Sequence, residues 1–161
     1  MKEMFRIHDK KCEKVTEKVR AGLGQRFLSL SLLAYDMVGL TLSPESLLET
    51  AEYLRDTPGL EFQFLSCLSG VDRQDRLEVV YHLHSLTAGV SLQLTVSLPN
   101  DRPEVDSVTS IWPGANWYER EAYDMYGIVF RGHPNLTRIL TDDEFVGHPL
   151  RKSYWTEGGL V

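Results

Sequence analysis

Acidic and basic side chains crowd together in the last third of this chain, and they are the first candidates for chemistry. Glu119, Glu121 and Asp124 are carboxylates of the kind that serve as general acids and bases. Read as a helix over 113–126, however, the stretch places Glu119 and Glu121 on opposite flanks of an apolar stripe, where they cannot easily share a proton or a metal ion. Arg120 lies one turn before Asp124, a spacing that predicts an ion pair. The pattern therefore favours salt bridges over acid–base catalysis.

Two histidines stand in a repeated Gly-His-Pro tripeptide. His133 and His148 each occupy its centre, and an arginine follows each repeat, Arg138 and Arg151. Two such loops could form one site, for example the metal centre of a small hydrolase that also uses nearby carboxylates. Alternatively each loop is a rigid turn whose histidine bonds a backbone carbonyl, because a proline such as Pro134 holds the residue before it extended. We favour the rigid turn.

Other candidates for a catalytic or metal site are weaker. His82 and His84 are two residues apart on a predicted strand and therefore point the same way, but no third ligand stands at a suitable spacing. The sequence contains no Gly-x-Gly-x-x-Gly motif, no Walker sequence and no serine-centred nucleophile elbow. We therefore expect this chain to carry no catalytic, cofactor-binding or metal-binding residue of its own.

The elements that must position these residues can be read from periodicity. Residues 44–56 are predicted to form a helix capped by Ser43 and started by Pro44, and a weaker pattern indicates a helix over 9–21. Alternation of apolar and polar residues predicts strands; these cover 27–33 and 37–42, with a turn at 34–36, and then 60–68, 77–84 and 90–98 as a meander. The fold class predicted is α+β, with a mostly antiparallel sheet and helices packed on one face.

The chain after the charged helix has a different character. Gly127 is expected to end the helix in a left-handed conformation, and 128–130 reads as a short strand. From residue 132 onward regular periodicity fades although apolar residues persist, which indicates a tail that wraps its own domain or lies on another protein; we favour the partner. Three parts are therefore expected: a basic N-terminal segment (1–35), an α+β core domain (36–131) and an irregular partner-contacting tail (132–161).

Composition excludes several classes of function. With 161 residues, 42% hydrophobic content and a net charge of −6, the chain resembles a soluble globular protein and not a general nucleic-acid binder. Basic residues are concentrated in the first 26 positions, which could contact phosphate, lipid headgroups or an acidic partner. Two distant cysteines disfavour a disulfide framework, a zinc finger and an iron–sulfur cluster held by this chain alone. We see neither a signal peptide nor a membrane-spanning stretch and expect an intracellular protein.

The central motif resembles a known family, the C-subunit family of proton-translocating NADH:quinone oxidoreductase, in the peripheral arm of respiratory complex I. The similarity is carried by Glu119-Arg120-Glu121, Asp124-Met125-Tyr126-Gly127-Ile128, Gly132-His133-Pro134 and Arg138-Ile139-Leu140. It extends upstream through Ser69-Gly70-Val71-Asp72 and Trp112-Pro113, and downstream through Gly147-His148-Pro149-Leu150-Arg151-Lys152.

The resemblance implies a structural or assembly subunit without a redox centre. The complex would use NADH, FMN, iron–sulfur clusters and quinone on other subunits, and this chain would dock on the quinone-site and iron–sulfur subunits at the cytoplasmic face of the inner membrane. The residues expected to form ion pairs and hydrogen bonds, within the domain or between subunits, are Glu119, Arg120, Glu121, Asp124, Gly127, His133, Pro134, Arg138, His148 and Arg151. An equivalent subunit of a membrane-bound hydrogenase-type complex is the alternative.

Overall fold

The computed structural model describes residues 2–33 and 37–154. Helix α1 (Lys2–Leu23) precedes β1 (Ser29–Leu33) and β2 (Met37–Leu42), and a 3-10 turn (Pro44–Ser46) leads into α2 (Leu47–Asp56). A meander follows, made of β3 (Phe64–Asp72), β4 (Arg76–Ser85) and β5 (Val90–Pro99). The last elements are β6 (Glu104–Asp106), α3 (Ala115–Tyr126) and β7 (Val129–Arg131).

Five strands form the main sheet in the order β1-β2-β5-β4-β3. β2 and β5 run parallel, whereas the other three neighbouring pairs are antiparallel. A separate parallel ladder joins β6 to β7 and holds the chain after α3 beside the chain before it. The prediction of an α+β fold with a mostly antiparallel sheet is confirmed.

One face of the sheet is buried and supplies the core. The alternation along β5 leaves Val90, Leu92, Leu94, Val96 and Leu98 almost fully buried, while the polar residues between them stay partly exposed. Helix α1 packs four residues into the same core at helical spacing: Cys12, Val15, Val19 and Leu23. Burying a leucine or valine side chain of this kind contributes roughly 1.5–3 kcal/mol. The part of the basic N-terminal segment that contains these residues is thus part of the core.

The helices differ from the sequence-based expectation at their starts. α1 is longer than the stretch 9–21. Before α2, a 3-10 turn occupies Pro44–Ser46, and Ser43 makes no side-chain capping bond to the backbone. Its hydroxyl lies 3.3 Å from the hydroxyl of Ser46 instead. The capping prediction was therefore wrong in its mechanism, because the tighter 3-10 turn brings the two serine hydroxyls together.

β3 begins four residues later than predicted. Leu60 and Phe62 are fully buried, but they lie in a turn before the strand, whereas Phe64, the first residue of β3, is 58% exposed. Positive φ angles at Gly59 and Glu61 hold this turn. The Trp112 indole donates to the carbonyl of Phe62 at 3.0 Å and so anchors the turn to the core.

The tail after β7 contains no helix or strand as far as Tyr154. It packs on its own domain through hydrogen bonds to α3. That the tail also lies on another protein stays a prediction. The predicted turn at 34–36 and the end of the predicted tail at 155–161 lie outside the described residues.

Candidate functional site: the junction of α3 and the tail

The last turn of α3 is capped by the tail. A helix end leaves backbone carbonyls without partners inside the helix, and here three consecutive carbonyls are satisfied from the segment 148–151. His148 Nδ1 bonds the carbonyl of Asp124 at 2.9 Å, the Leu150 amide donates to Met125 at 3.1 Å, and Arg151 Nε donates to Tyr126 at 2.6 Å. The tail therefore completes the hydrogen bonding of the helix.

Gly127 makes this approach possible. It ends α3 with φ 69° and ψ 27°, a left-handed conformation that glycine adopts without strain. A Cβ atom at this position would lie 2.5 Å from Nε2 of His148, so the histidine ring occupies the space that a larger residue would need. The predicted left-handed end of the helix is confirmed.

Asp124 is the centre of the junction. Its side chain is fully buried, and its two oxygens accept five hydrogen bonds from the segment 138–141. Oδ2 accepts the backbone amides of Ile139, Leu140 and Thr141 at 3.0, 2.8 and 2.9 Å, and Oδ1 accepts Arg138 at 2.8 Å and the Thr141 hydroxyl. Arg138 in turn donates to the carbonyl of Gly147 at 3.2 Å. One carboxylate thus fixes two stretches of the tail.

These donors keep Asp124 ionised. Burial opposes its charge, but the Thr141 hydroxyl, the amides of Thr141 and Leu140, and Arg138 outweigh burial and hold the pKa of Asp124 well below its usual range. A carboxylate with a low pKa and occupied oxygens is a poor general base. The hydrogen bonds of Asp124 hold the tail against α3.

Arg120 does not pair with Asp124, contrary to the expectation from their spacing. Its guanidinium donates to the Thr137 carbonyl at 3.1 Å, the Thr137 hydroxyl at 2.9 Å and the Arg138 carbonyl at 3.3 Å. The tail comes between the two side chains, because Arg138 takes the carboxylate that a solvent-exposed helix would have left for Arg120. Arg120 also lies 5.2 Å from the centre of the Trp117 ring, which is 65% exposed.

His133 holds the first Gly-His-Pro loop. Its Nδ1 accepts the amide of Asn135 at 3.0 Å, so the hydrogen lies on Nε2, which bonds the carbonyl of Asn116 at 3.2 Å. Burial lowers the pKa of His133, in keeping with this neutral form. Both predicted histidine–carbonyl bonds, at His133 and at His148, are confirmed. Pro134, between His133 and Asn135, is exposed.

Glu119 and Glu121 have opposite environments. Glu121 is exposed, whereas Glu119 is fully buried on the side of α3 that contacts the segment before the helix. One oxygen of Glu119 accepts the amide of Val108 at 2.8 Å, but Oε2 is buried without a hydrogen-bond partner, and so is the hydroxyl of Tyr81. Burial raises the pKa of Glu119 to about 7, and the bond from Val108 opposes the shift. No cation neutralises it among the described ion pairs.

A second tail contact lies at the end of β3. Asp72 accepts the amide of Gln74 at 2.7 Å and the amide of Lys152 at 2.8 Å. These bonds outweigh burial and lower the pKa of Asp72. An open cleft of about 370 Å³ lies beside it, lined by Asp72, Gln74, Asn100, Arg151, Lys152 and Ser153. Arg151 thus links the end of α3 to the loop after β5, where it reaches the carbonyl of Asn100 at 3.4 Å.

Sequence reasoning missed several members of this junction. Thr141 gives Asp124 two hydrogen bonds, and no periodic pattern marks it because it lies in an irregular segment. The contact between Glu119 and Val108 also joins residues of an unpatterned loop to the helix. Within 2–33 and 37–154, no three histidine, cysteine or acidic side chains lie together as metal ligands would, and no helix is long and apolar enough to cross a membrane.

Comparison with known proteins gives a consistent result. The model of the family described as respiratory-chain NADH dehydrogenase, 30 Kd subunit, matches residues 40–159. The C subunit of NADH-quinone oxidoreductase from Xanthobacter autotrophicus is 49% identical over 131 residues, which cover 80% of this chain and 62% of that protein. The C subunit of the same enzyme from a Roseiflexus species is 45% identical over 141 residues, covering 86% of this chain and 80% of that one. This chain therefore spans between about three fifths and four fifths of these relatives.

Two solved structures are similar. The trypsin-resistant fragment (1-134) of Nqo5 superposes with a TM-score of 0.65 at 31% identity, covering 78% of this chain and 99% of that fragment. A chain of a membrane-bound sulfane sulfur reductase, an archaeal respiratory membrane complex, gives a TM-score of 0.78 at 20% identity, covering 91% of this chain and 86% of that one. At that identity the second likeness concerns the fold alone.

Proposed function

Because this chain belongs to the respiratory-chain NADH dehydrogenase 30 Kd subunit family, we propose that it is a structural subunit, the C subunit, of an NADH-quinone oxidoreductase. In this role it binds no cofactor itself. It holds the electron-transferring arm together while NADH, FMN, iron–sulfur clusters and quinone are handled by other subunits. The complex would pass electrons from NADH to quinone and couple this to proton translocation, with the chain attached peripherally at the cytoplasmic face of the inner membrane.

The observation that supports this proposal is that the charged motif forms hydrogen bonds within the domain. Both carboxylate oxygens of Asp124 accept hydrogen bonds from the tail. His133 uses both ring nitrogens on backbone groups, and His148 packs against Gly127 while bonding a carbonyl. The residues considered for the metal site of a hydrolase are thus occupied in holding the tail and the loop at His133, which argues for a scaffold.

The tail offers a surface for partner subunits. Arg138, His148 and Arg151 bond to α3, while four apolar side chains of the tail remain exposed. We call these four the tail patch, and they are Leu140, Phe145, Val146 and Leu150. Exposed apolar groups held rigidly by hydrogen bonds are typical of interaction surfaces. We assign this surface to the quinone-site and iron–sulfur subunits of the arm.

Two variants test the structural role separately from folding. Arg138→Ala removes the cation from buried Asp124 and should destabilise both the isolated chain and the assembled complex. Glu121→Gln changes an exposed carboxylate that makes no described ion pair, so it should lower only the amount of assembled complex. Native gel electrophoresis measures assembly, and NADH:quinone turnover is then normalised to the assembled complex.

The outcomes separate a scaffold from a catalytic residue. A scaffold variant gives less complex but normal turnover in each complex that forms. Normal assembly with lost turnover in each complex would contradict the structural role of that residue. The hydrogenase-type alternative is distinguished by the electron donor: membranes containing the chain's complex would then oxidise a donor other than NADH.

A further inference from the structure

The two edge strands of the main sheet, β3 and β1, differ in how far other parts of the chain cover them. β3 forms one edge, and α3 lies along it. The Tyr118 hydroxyl donates to the carbonyl of Ser66 at 3.1 Å, the Tyr126 ring packs against Gly70, and the pairing register shifts between Leu65 and Cys67. A bulge and a covering helix are devices that keep an edge strand from pairing with another chain.

The opposite edge, β1, lacks these devices within the described part of the chain. We call residues 28–33 the β1 edge. It contains only leucine and serine, so neither charge nor proline interrupts it. Its five paired positions with β2 show no register shift, and the amide of Leu28 extends the ladder by donating to the Thr41 carbonyl at 2.8 Å. β1 is therefore a regular strand, and its backbone N–H and C=O groups on the side away from β2 are arranged for pairing with another strand.

Apolar side chains at the β1 edge are left uncovered on the core side. Leu32 pairs with Val38, and Leu30 pairs with Leu40; both partners are buried in the core. By the two-residue repeat of a strand, Leu28 and Leu32 point to the same face as Leu30. Yet Leu28 is 68% exposed and Leu32 is 49% exposed. The buried face of the sheet thus continues past the cover that α1 gives it, and the core is open on this side.

We propose that the β1 edge binds an extended segment of a neighbouring subunit, which adds a sixth strand to the sheet and covers Leu28 and Leu32. The proposal rests on the function proposed above, since it requires a complex. Main-chain hydrogen bonds would supply the pairing, and alternate apolar side chains of the partner would complete the core. The partner segment is expected to be uncharged where it faces the β1 edge, because a charge buried there would find no counter-ion among residues 28–33.

A second copy of this chain is a poorer occupant. The leucines of the β1 edge expose on the order of a few hundred Å², whereas a stable interface needs about 800 Å² from each partner. Two copies, each with a net charge of −6, would also repel one another. A subunit already held elsewhere, for example at the tail patch, gains a small additional contact at high effective concentration.

Charge placed at the edge tests the proposal in the complex. Leu32→Lys keeps the long side chain in solvent in the isolated chain but opposes strand addition, as lysines do on natural edge strands. We expect an unchanged thermal unfolding curve for the isolated chain and a several-fold drop in assembled complex. Leu86→Lys is the matched control, because Leu86 is 84% exposed in the turn between β4 and β5, away from β1, and should leave assembly unchanged.

Hydrogen exchange gives a readout specific to strand pairing. Amides in 29–33 that point away from β2 should exchange at least about tenfold more slowly in the complex than in the isolated chain. Equal exchange in the two states overturns the proposal. So does a dimer of the isolated chain that Leu32→Lys converts to monomer, because a second copy is then the occupant. If Arg138→Ala lowers assembly while Leu32→Lys does not, the edge proposal fails and the structural function stands; if neither lowers it, the proposed function fails.

Discussion

Asp124 contributes to stability only while it is ionised, and this fixes how the fold responds to acid. Its pKa in the folded chain lies below its ordinary value of 3.8. The contribution is therefore fully present above about pH 4 and is lost as the pH falls through the folded pKa. We expect Asp124→Asn to cost about 3–5 kcal/mol at pH 7, because Arg138, whose side chain is only 16% exposed, is left without its counter-charge.

Urea unfolding followed by circular dichroism at pH 3, 4, 5 and 7 measures this effect. The gap between wild type and Asp124→Asn should narrow as the pH falls below 4. Asp143→Asn, an exposed change in the same tail, should unfold like wild type throughout. Equal stability of Asp124→Asn and wild type at pH 7 would show that the carboxylate does not hold the tail.

Glu119 has the opposite pH dependence. Burial raises its pKa from 4.5 to about 7, so the folded chain favours the neutral acid. Its stabilising contribution is fully present below pH 4.5 and is lost as the pH rises through 7. Glu119→Gln keeps the shape without a charge and should be more stable than wild type at pH 8, by up to about 3 kcal/mol. The difference should fall to about 1 kcal/mol at pH 5 and vanish only below pH 4.5.

Chemical denaturation across pH 5–8 checks this expectation. Glu121→Gln is the control two residues away, and because that side chain is exposed its stability should follow wild type. Tyr81, whose pKa is raised by burial and by the charge of Glu119, carries no positive charge that could offset the carboxylate. A difference between Glu119→Gln and wild type that does not change with pH would contradict the raised pKa.

Individual roles were predictable where the cause is local. The histidine–carbonyl bonds of the two Gly-His-Pro loops follow from the proline that fixes each turn. The partner of Asp124 was not predictable from helical spacing, because Arg138 lies 14 residues away and reaches it only after the chain has turned back. Nor does the sequence distinguish buried Glu119 from exposed Glu121, since the loop that covers Glu119 has no periodicity.

At the scale of elements, the end of α3 depends on both a conformation and a space. Gly127→Ala imposes a left-handed residue with a Cβ atom and also drives that atom into the His148 ring. Gly132→Ala imposes the same backbone strain at φ 77°, but nothing lies within 4 Å of the new atom. We expect a loss of about 1–2 kcal/mol at Gly132 and a clearly larger loss at Gly127.

Thermal unfolding of the two variants measures the difference. Both variants carry the same change at a glycine with a positive φ, so the difference between them reflects the packing of His148. Equal losses in the free energy of unfolding would mean that the tail moves aside without loss of stability. The contact between His148 and α3 would then not stabilise the domain.

Strands with strict alternation were well predicted, and segments fixed by distant contacts were not. β5 begins at the predicted residue because its pattern is unbroken. The start of β3 was misplaced because Leu60 and Phe62 alternate as in a strand while a turn holds them. β6 was not predicted because it has only three residues and is defined by its pairing with β7, which lies beyond α3.

At the scale of the whole molecule, the described residues form one packed core and two surfaces that we propose bind partners. The interior joins α1, the main sheet and α3 in one core. The tail patch and the β1 edge both expose apolar groups on an otherwise charged protein. The general fold class follows from the sequence, but the location of these surfaces does not, since it depends on which apolar residues the irregular tail and α1 leave uncovered.

The bonds between Asp124 and the segment 138–141 also imply an order in which parts of the domain fold during translation. A ribosome makes α3 before the residues that satisfy its carboxylate and its last carbonyls. The main sheet can form as soon as β5 emerges, since all five strands lie before residue 100. During translation the Asp124 carboxylate of α3 therefore remains hydrated until the tail has been synthesised. The domain is therefore closed last at its C-terminal side, where a chaperone or an incoming subunit would find it still open.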